Sequence, residues 1–221
     1  MFSRRVIKPE LLDHAAPEEA RRNLADLIQI NKRFGGHSVI LKTLRQVAQP
    51  EDTFSLLDVG AASGDAARII RANFRQSCVT SFDCNSVNLS AAPQPKVIGD
   101  AFRLPFAASS FDYVHCSLFL HHFEDDCVVE LLRSFHTVAR KALLVCDLER
   151  NVLPYLFLPA TKLVFRWQAI TLHDGPISVR ASFKEAELRE LAKRAGISAY
   201  ETTLHRPAFR ISLIARKMVG T

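Results

Sequence analysis

The chain has 221 residues, 48% of them hydrophobic and 24% charged; this suffices for one well-buried α/β domain and excludes a disordered or fibrous chain. Its net charge of +6 is spread unevenly, with +4 over residues 1–50, −5 over 51–149 and +7 over 150–221. An acidic centre between basic flanks is not the continuous basic stripe of a nucleic-acid binder; it suits a cationic ligand at the centre, with solvated helix faces as the other account of the flanks.

The N-terminus has no basic segment leading into an apolar run, so no signal peptide is expected and the expected location is cytoplasmic. Pro17 with Glu18 and Glu19 starts a helix that Leu24, Leu27, Ile28 and Phe34 continue, and Gly35-Gly36 ends it. A second helix is predicted from Ser38 to Ala48. From residue 54 strands and helices alternate. Strands are predicted at 54–59, 79–83, 96–98, 111–119 and 142–148, and helices at 65–74, 86–91 and 125–139. Such alternation implies a parallel sheet, since each crossover needs a helix.

Residues 151–172 break the alternation. They are apolar and aromatic, but Pro154, Pro159, Lys162 and Arg166 interrupt them too often for a membrane span. Ser182-Phe183-Lys184-Glu185 reads as a capping box opening a helix that Gly196 ends. Two last strands, 197–204 and 209–216, are joined around Pro207. The five cysteines show neither CxxC nor His/Cys ligand spacing, so reduced thiols are expected, with no disulfide framework and no metal.

Three strand ends carry chemistry. The first strand ends in LLDVGAASGD, whose Gly60 and Gly64 bracket a tight turn without the central glycine of the dinucleotide fingerprint. Alone, this loop is equally an ordinary strand-to-helix turn. The second strand ends in Asp83, 19 residues past Gly64, where a carboxylate can accept both hydroxyls of a ribose. The third is followed by Asp100-Ala101, suited to an adenine amino group and ring. Together the three sites describe a nucleoside pocket at the carboxyl edge of the sheet.

The stretches LLDVGAASGD, SFDCN, DAFRLPFAASSFDYVHCS and LFLHHF resemble the class I S-adenosylmethionine-dependent methyltransferases, closely over about residues 54–148. The DAFRLPFAASSFD phrase is most similar to the small-molecule enzymes related to ubiquinone and menaquinone C-methyltransferases. The resemblance implies a Rossmann-like α/β fold: a seven-stranded, mostly parallel sheet with an antiparallel last strand and helices on both faces. It implies a helical lid over residues 1–50 and a methyltransferase domain over 51–221 with an insertion at 151–181. S-adenosylmethionine would be the cofactor and S-adenosylhomocysteine its product. Gly60, Ala61, Gly64, Asp83, Cys84, Asp100 and Ala101 would bind the cofactor, with Ser117 beneath the reactive methyl. Ala62 stands where the family pattern has glycine, and its methyl would crowd the cofactor if the backbone there has positive φ.

Phe34 is a candidate to face the sulfonium by a cation–π contact, and His37 to reach the cofactor carboxylate; a core aromatic and a surface histidine are the competing assignments. Methyl transfer mainly needs an aligned nucleophile, and a hydroxyl acceptor also needs a base. His121 and His122 are the candidate bases; on a helical start they would point apart, so that one faces the pocket. Asp147 and Glu149 end the fifth strand and are candidates to orient that base or bind the acceptor, with a Glu149–Arg150 ion pair as the other account. The insertion would roof an apolar acceptor pocket with Tyr155, Phe157, Phe165 and Trp167, and His173 and Arg180 are acceptor-side candidates, although Asp174-Gly175 also reads as a turn. The expected reaction is O-methylation of a phenolic, polyketide-like or quinone-like small molecule of secondary metabolism. The alternatives are C-methylation of a quinone-like acceptor and an RNA or protein substrate. The expected assembly is a monomer or homodimer with no transmembrane segment, and peripheral membrane contact is an alternative use of the insertion.

Overall fold

The computed structural model describes residues 2–218. Helices α1 (Pro17–Arg33) and α2 (Gly36–Leu44) lead into strand β1 (Phe54–Val59). There follow α3 (Asp65–Asn73), β2 (Ser77–Asp83), the single turn α4 (Ser86–Leu89), β3 (Lys96–Ile98) and β4 (Phe111–Ser117). Then come α5 (Asp125–Val138), β5 (Ala139–Leu148), α6 (Val152–Phe165), α7 (Ala169–Ala181), α8 (Glu185–Arg194), β6 (Tyr200–His205) and β7 (Arg210–Arg216).

The strands form one seven-stranded sheet in the order β3-β2-β1-β4-β5-β7-β6. β1 to β5 pair in parallel, and β7 runs antiparallel to both its neighbours. The strand order reverses between β1 and β4, which opens a crevice at the carboxyl edge where ligands of such sheets bind.

The central strands are buried on both faces, which explains their near-continuous apolar sequences. Leu57, Val59, Val114, Val145 and Leu213 pack with Leu131, Leu132 and Phe135 of α5 and Leu188 and Leu191 of α8. On the opposite face, Leu56, Tyr113, Leu144 and Ile214 pack with Ile70 and Phe74 and with Val39, Ile40 and Leu44 of α2. Helix α2 is thus built into the layer that covers the sheet.

Local expectations fail in three places. The capping box lies two residues later than the sequence suggests: Lys184 is the N-cap, Glu187 Oε2 accepts its backbone N–H at 2.9 Å, and Ser182 Oγ instead donates to the Val179 carbonyl. Phe183 is drawn away from the helix by a bridge to Glu149 beside the core. Residues 152–181 form two helices in spite of Pro159 and Pro176 within them. His173-Asp174-Gly175 is therefore helical, and Gly175 serves close packing, since a Cβ there would stand 2.1 Å from Leu158 Cδ1. Nor do Glu149 and Arg150 pair with each other: Glu149 pairs with Arg206, and the buried Arg150 with Glu187.

Among the described residues no helix is long and apolar enough to cross a membrane. The outer face of α6 nevertheless leaves Leu153, Leu156, Leu163 and Val164 exposed.

Candidate active site

The carboxyl edge brings the expected cofactor residues onto adjacent strands. Val59 pairs with Phe82 on one side and Cys116 on the other, so Gly60, Asp83 and Ser117 occupy the next rung, and Asp83 pairs with Ile98 just before Gly99-Asp100. The loop after β1 is held from below, since the Phe82 carbonyl accepts from Gly60 N–H at 2.9 Å and Ala61 N–H at 3.1 Å.

Gly60 and Gly64 both need their lack of a side chain. Their φ angles are +70° and +75°; an added Cβ would lie 2.3 Å from the Phe119 ring at Gly60 and 2.7 Å from Ala92 at Gly64. Ala62 also adopts positive φ, +44°, the case in which its methyl matters. Left-handed backbone costs a non-glycine residue about 1–2 kcal/mol. Ala62→Gly should therefore raise stability by about 0.5–1 kcal/mol after the extra freedom glycine gives the unfolded chain. A thermal melt tests this, and an unchanged or lower Tm would show that the loop is unstrained.

Asp83 binds this loop directly. Its Oδ2 accepts from Ala62 N–H and its Oδ1 from Asn85 N–H, both at 2.8 Å. Cys84 beside it is exposed. Asp100 is exposed and caps a short 3-10 turn by accepting from Phe102 N–H at 2.9 Å, while Ala101 packs on the core.

On the acceptor side, the strongest feature is a buried pair. His121 Nδ1 lies 2.6 Å from Asp147 Oδ1, and both side chains are almost wholly buried. Asp147 also accepts from the backbone N–H of Leu148 at 2.7 Å. Burial alone would lower the His121 pKa, but the Asp147 charge and hydrogen bond outweigh it and raise the value. Burial would raise Asp147, yet the charge and hydrogen bond of His121 hold it below the usual carboxylate range. His122 does not diverge from its neighbour: the two rings stack at 4.3 Å on a 3-10 turn, which turns more tightly than the expected α-helical start. Burial, and then the His121 charge, push the His122 pKa down to about 3.

Sequence reasoning missed Glu10. It is buried, with Oε1 4.0 Å from His121 Nε2 and Oε2 3.9 Å from His122 Nδ1. No local pattern marks it, because it reaches the site from the far end of the chain. Asp174 places it there by accepting the backbone N–H groups of Leu11 and Leu12 at 2.9 and 3.0 Å. Phe119, which covers Gly60, was equally invisible in LFLHHF.

Other candidates lie in different surroundings. Phe34 packs edge-on against Phe157, Phe165 and Trp167, at 4.6, 5.5 and 6.5 Å between ring centroids. Trp167 is buried and donates from Nε1 to Thr161, so these rings hold α1 against α6. His37 is bound to Asp65 at 2.7 Å. Tyr155 and Arg180 meet in a cavity of about 190 Å³ with Val6, Lys8, Pro176 and Ile177. His173 is turned to the surface, next to Asp174.

The sheet order and this edge are shared with known proteins. The methyltransferase-domain family profile matches residues 57–145, which holds the glycine loop, Asp83, Asp100, Ser117 and His121. That match covers less than half of the chain, so residues 57–145 are similar to a methyltransferase domain. No curated protein sequence matches it. Among solved structures, human N-acetylserotonin methyltransferase in complex with S-adenosylmethionine aligns at TM-score 0.63 and 18% identity, over 91% of this chain and 57% of that one. The CurJ carbon methyltransferase aligns at 0.63 and 13% identity, over 91% of this chain and 61% of that one. A Thermotoga maritima S-adenosylmethionine-dependent methyltransferase aligns at 0.60 and 14% identity, over 91% and 99%. The chain thus spans less than two thirds of the human and CurJ chains, and at these identities the likeness is one of fold. The methyltransferase cofactor is S-adenosylmethionine; the Asp83 carboxylate at the end of β2 fits the hydroxyls of its ribose, while the space beside Gly60 and Gly64 is taken by Phe119 and Ala92.

Proposed function

We propose that this methyltransferase methylates an oxygen of an apolar, aromatic small molecule of phenolic, polyketide-like or quinone-like class. The observation that carries the reading is the buried His121–Asp147 pair just beyond Ser117, at the carboxyl ends of β4 and β5. When bound, the cofactor supplies an electrophilic methyl on a sulfonium, and the C–S electron pair stays with sulfur. Gly60, Ala61, Gly64, Asp83, Asp100 and Ala101 would hold it.

Asp147 accepts from His121 Nδ1 and so leaves Nε2 as the atom that acts on the acceptor hydroxyl. The acceptor oxygen gives its proton up at Nε2 and uses the freed electron pair for the new O–C bond. The N-terminal segment and α7 cover this pair and keep water from it. Tyr155 of α6, in the cavity it shares with Ile177 and Pro176, favours a flat, apolar acceptor.

Phenolic, quinone and fatty acceptors incubated with S-adenosylmethionine and screened by mass should give a singly methylated phenol. Methyl on carbon, or turnover with none of the three classes, would overturn the assignment. Asp147→Asn should lower kcat by about 10²–10⁴-fold, the usual worth of general base catalysis, and leave S-adenosylhomocysteine affinity unchanged.

A further inference from the structure

The three side chains that meet beyond β4 form more than a base and its neighbours. Glu10, His121 and His122 each offer one ligand atom, and these atoms all lie within 4.8 Å of one another. Two imidazoles and one carboxylate are a donor set for a divalent first-row transition metal; hard magnesium or calcium sites use oxygen almost alone. We infer that Glu10, His121 and His122 bind a single divalent metal ion of the zinc class.

The groups around the cluster are those a metal site needs. Ligating histidines usually give their other ring nitrogen to a carboxylate, which fixes tautomer and direction. His121 does so, with Nδ1 on Asp147 at 2.6 Å and Nε2 towards Glu10. Glu10 is itself oriented, since Ser178 Oγ donates to its Oε1 and Asp174 anchors the two residues that follow it. From the other side, Arg5 donates to the Phe123 carbonyl at 2.8 Å and the His121 carbonyl at 3.4 Å. Ligand, outer carboxylate and backbone anchor thus come from four parts of the chain.

The distances are within reach of an ion after side-chain adjustment. Bonds of about 2.0–2.1 Å place tetrahedral ligand atoms about 3.3 Å apart. The His121–Glu10 and His122–Glu10 separations are 4.0 and 3.9 Å, each to a different Glu10 oxygen, and the three ligand atoms lie within 4.8 Å of one another, so closing on an ion shortens these separations by about 0.5–1.5 Å. Three protein ligands leave a fourth position open, as in catalytic rather than structural sites. The His122 side chain is 31% exposed and gives the ion a way in, while Glu10 and His121 are enclosed.

An ion on Nε2 occupies the atom that takes the acceptor proton in the reading above, so the loaded protein cannot use His121 as that base. That consequence rests on the acceptor-side reading above; binding of the ion does not. Sequence spacing pointed to no metal, because it registers ligands that are close in the chain, and one of these three comes from the N-terminal segment.

The test is equilibrium dialysis of the metal-stripped full chain against zinc, with elemental analysis, and cobalt substitution for the ligand-field spectrum. One equivalent should bind, with cobalt bands free of thiolate charge transfer. Glu10→Gln and His122→Ala should each weaken zinc binding at least tenfold, and Asp174→Asn should weaken it less, by loosening Glu10. Circular dichroism and S-adenosylhomocysteine affinity, measured on the same variants, report folding and the cofactor site separately. Zinc binding that is absent, or unchanged in both Glu10→Gln and His122→Ala, would overturn the inference. Loss of S-adenosylhomocysteine binding in the unmodified chain would instead count against the methyltransferase reading.

Discussion

Replacing Asp83 with alanine should weaken S-adenosylhomocysteine binding more than tenfold. Each carboxylate oxygen already accepts one backbone N–H, from Ala62 and from Asn85. Each oxygen also keeps a second lone pair, so two ribose hydroxyls can be bound without breaking either bond. A hydrogen bond to a charged group is worth about 1.5–3 kcal/mol, and about 1.4 kcal/mol is already a factor of ten. The variant also releases the N–H of Ala62, in the loop proposed to face the cofactor. Calorimetry with S-adenosylhomocysteine decides the matter. Affinity equal to that of the unmodified chain would mean that the end of β2 is not the ribose site.

Replacing Asp58 with asparagine should cost about 3–5 kcal/mol, the cost of breaking a buried ion pair from one side. Asp58 on β1 and His115 on β4 are 2% exposed, bonded at 2.7 Å, and directly opposite in the parallel register. Asp58 Oδ2 and His115 Nε2 find no other hydrogen-bond partner among the described residues, so each group depends on the other. Burial would depress the His115 pKa, but the Asp58 carboxylate overcomes this and raises it to about 10.

A histidine raised in the folded state binds its proton more tightly there than in the unfolded chain. Its contribution is complete below about pH 6.5, the unfolded value, and drains away as pH rises through about 10. Urea melts at about pH 6 and about pH 9 should therefore show the unmodified chain losing stability, and Asp58→Asn losing much less over the same interval. Equal pH slopes in the two proteins would refute the pair's protonated state. The pair ties β1 to β4 two residues before Gly60, so the variant should also loosen the cofactor loop.

What could be read from the sequence, and what could not, follows from the range of the interactions. Five parallel strands, most helices and the edge residues Gly60, Asp83, Asp100 and Ser117 were legible. Apolar runs, helical spacing and turn glycines are local signals, and a parallel sheet delivers every strand end to one edge. For residues 151–172 the sequence showed an apolar stretch interrupted by Pro154 and Pro159, too broken for a membrane span, and did not mark the helices α6 and α7. Two missing N–H groups do cost helix stability, but packing of Leu158 on Gly175 and of the Phe34 cluster outweighs that cost.

By itself, the sequence determined the sheet and the placing of Gly60, Asp83, Asp100 and Ser117 at its carboxyl edge, because these depend on residues a few positions apart. Only the tertiary structure decided that Ala62 is left-handed, that Phe119 lies over Gly60, and that Phe34 and Trp167 serve packing. It alone brought Glu10 to His121 and His122. Such meetings are set by how helices and the N-terminal segment pack on the finished sheet, and no spacing along the chain encodes a contact made across it.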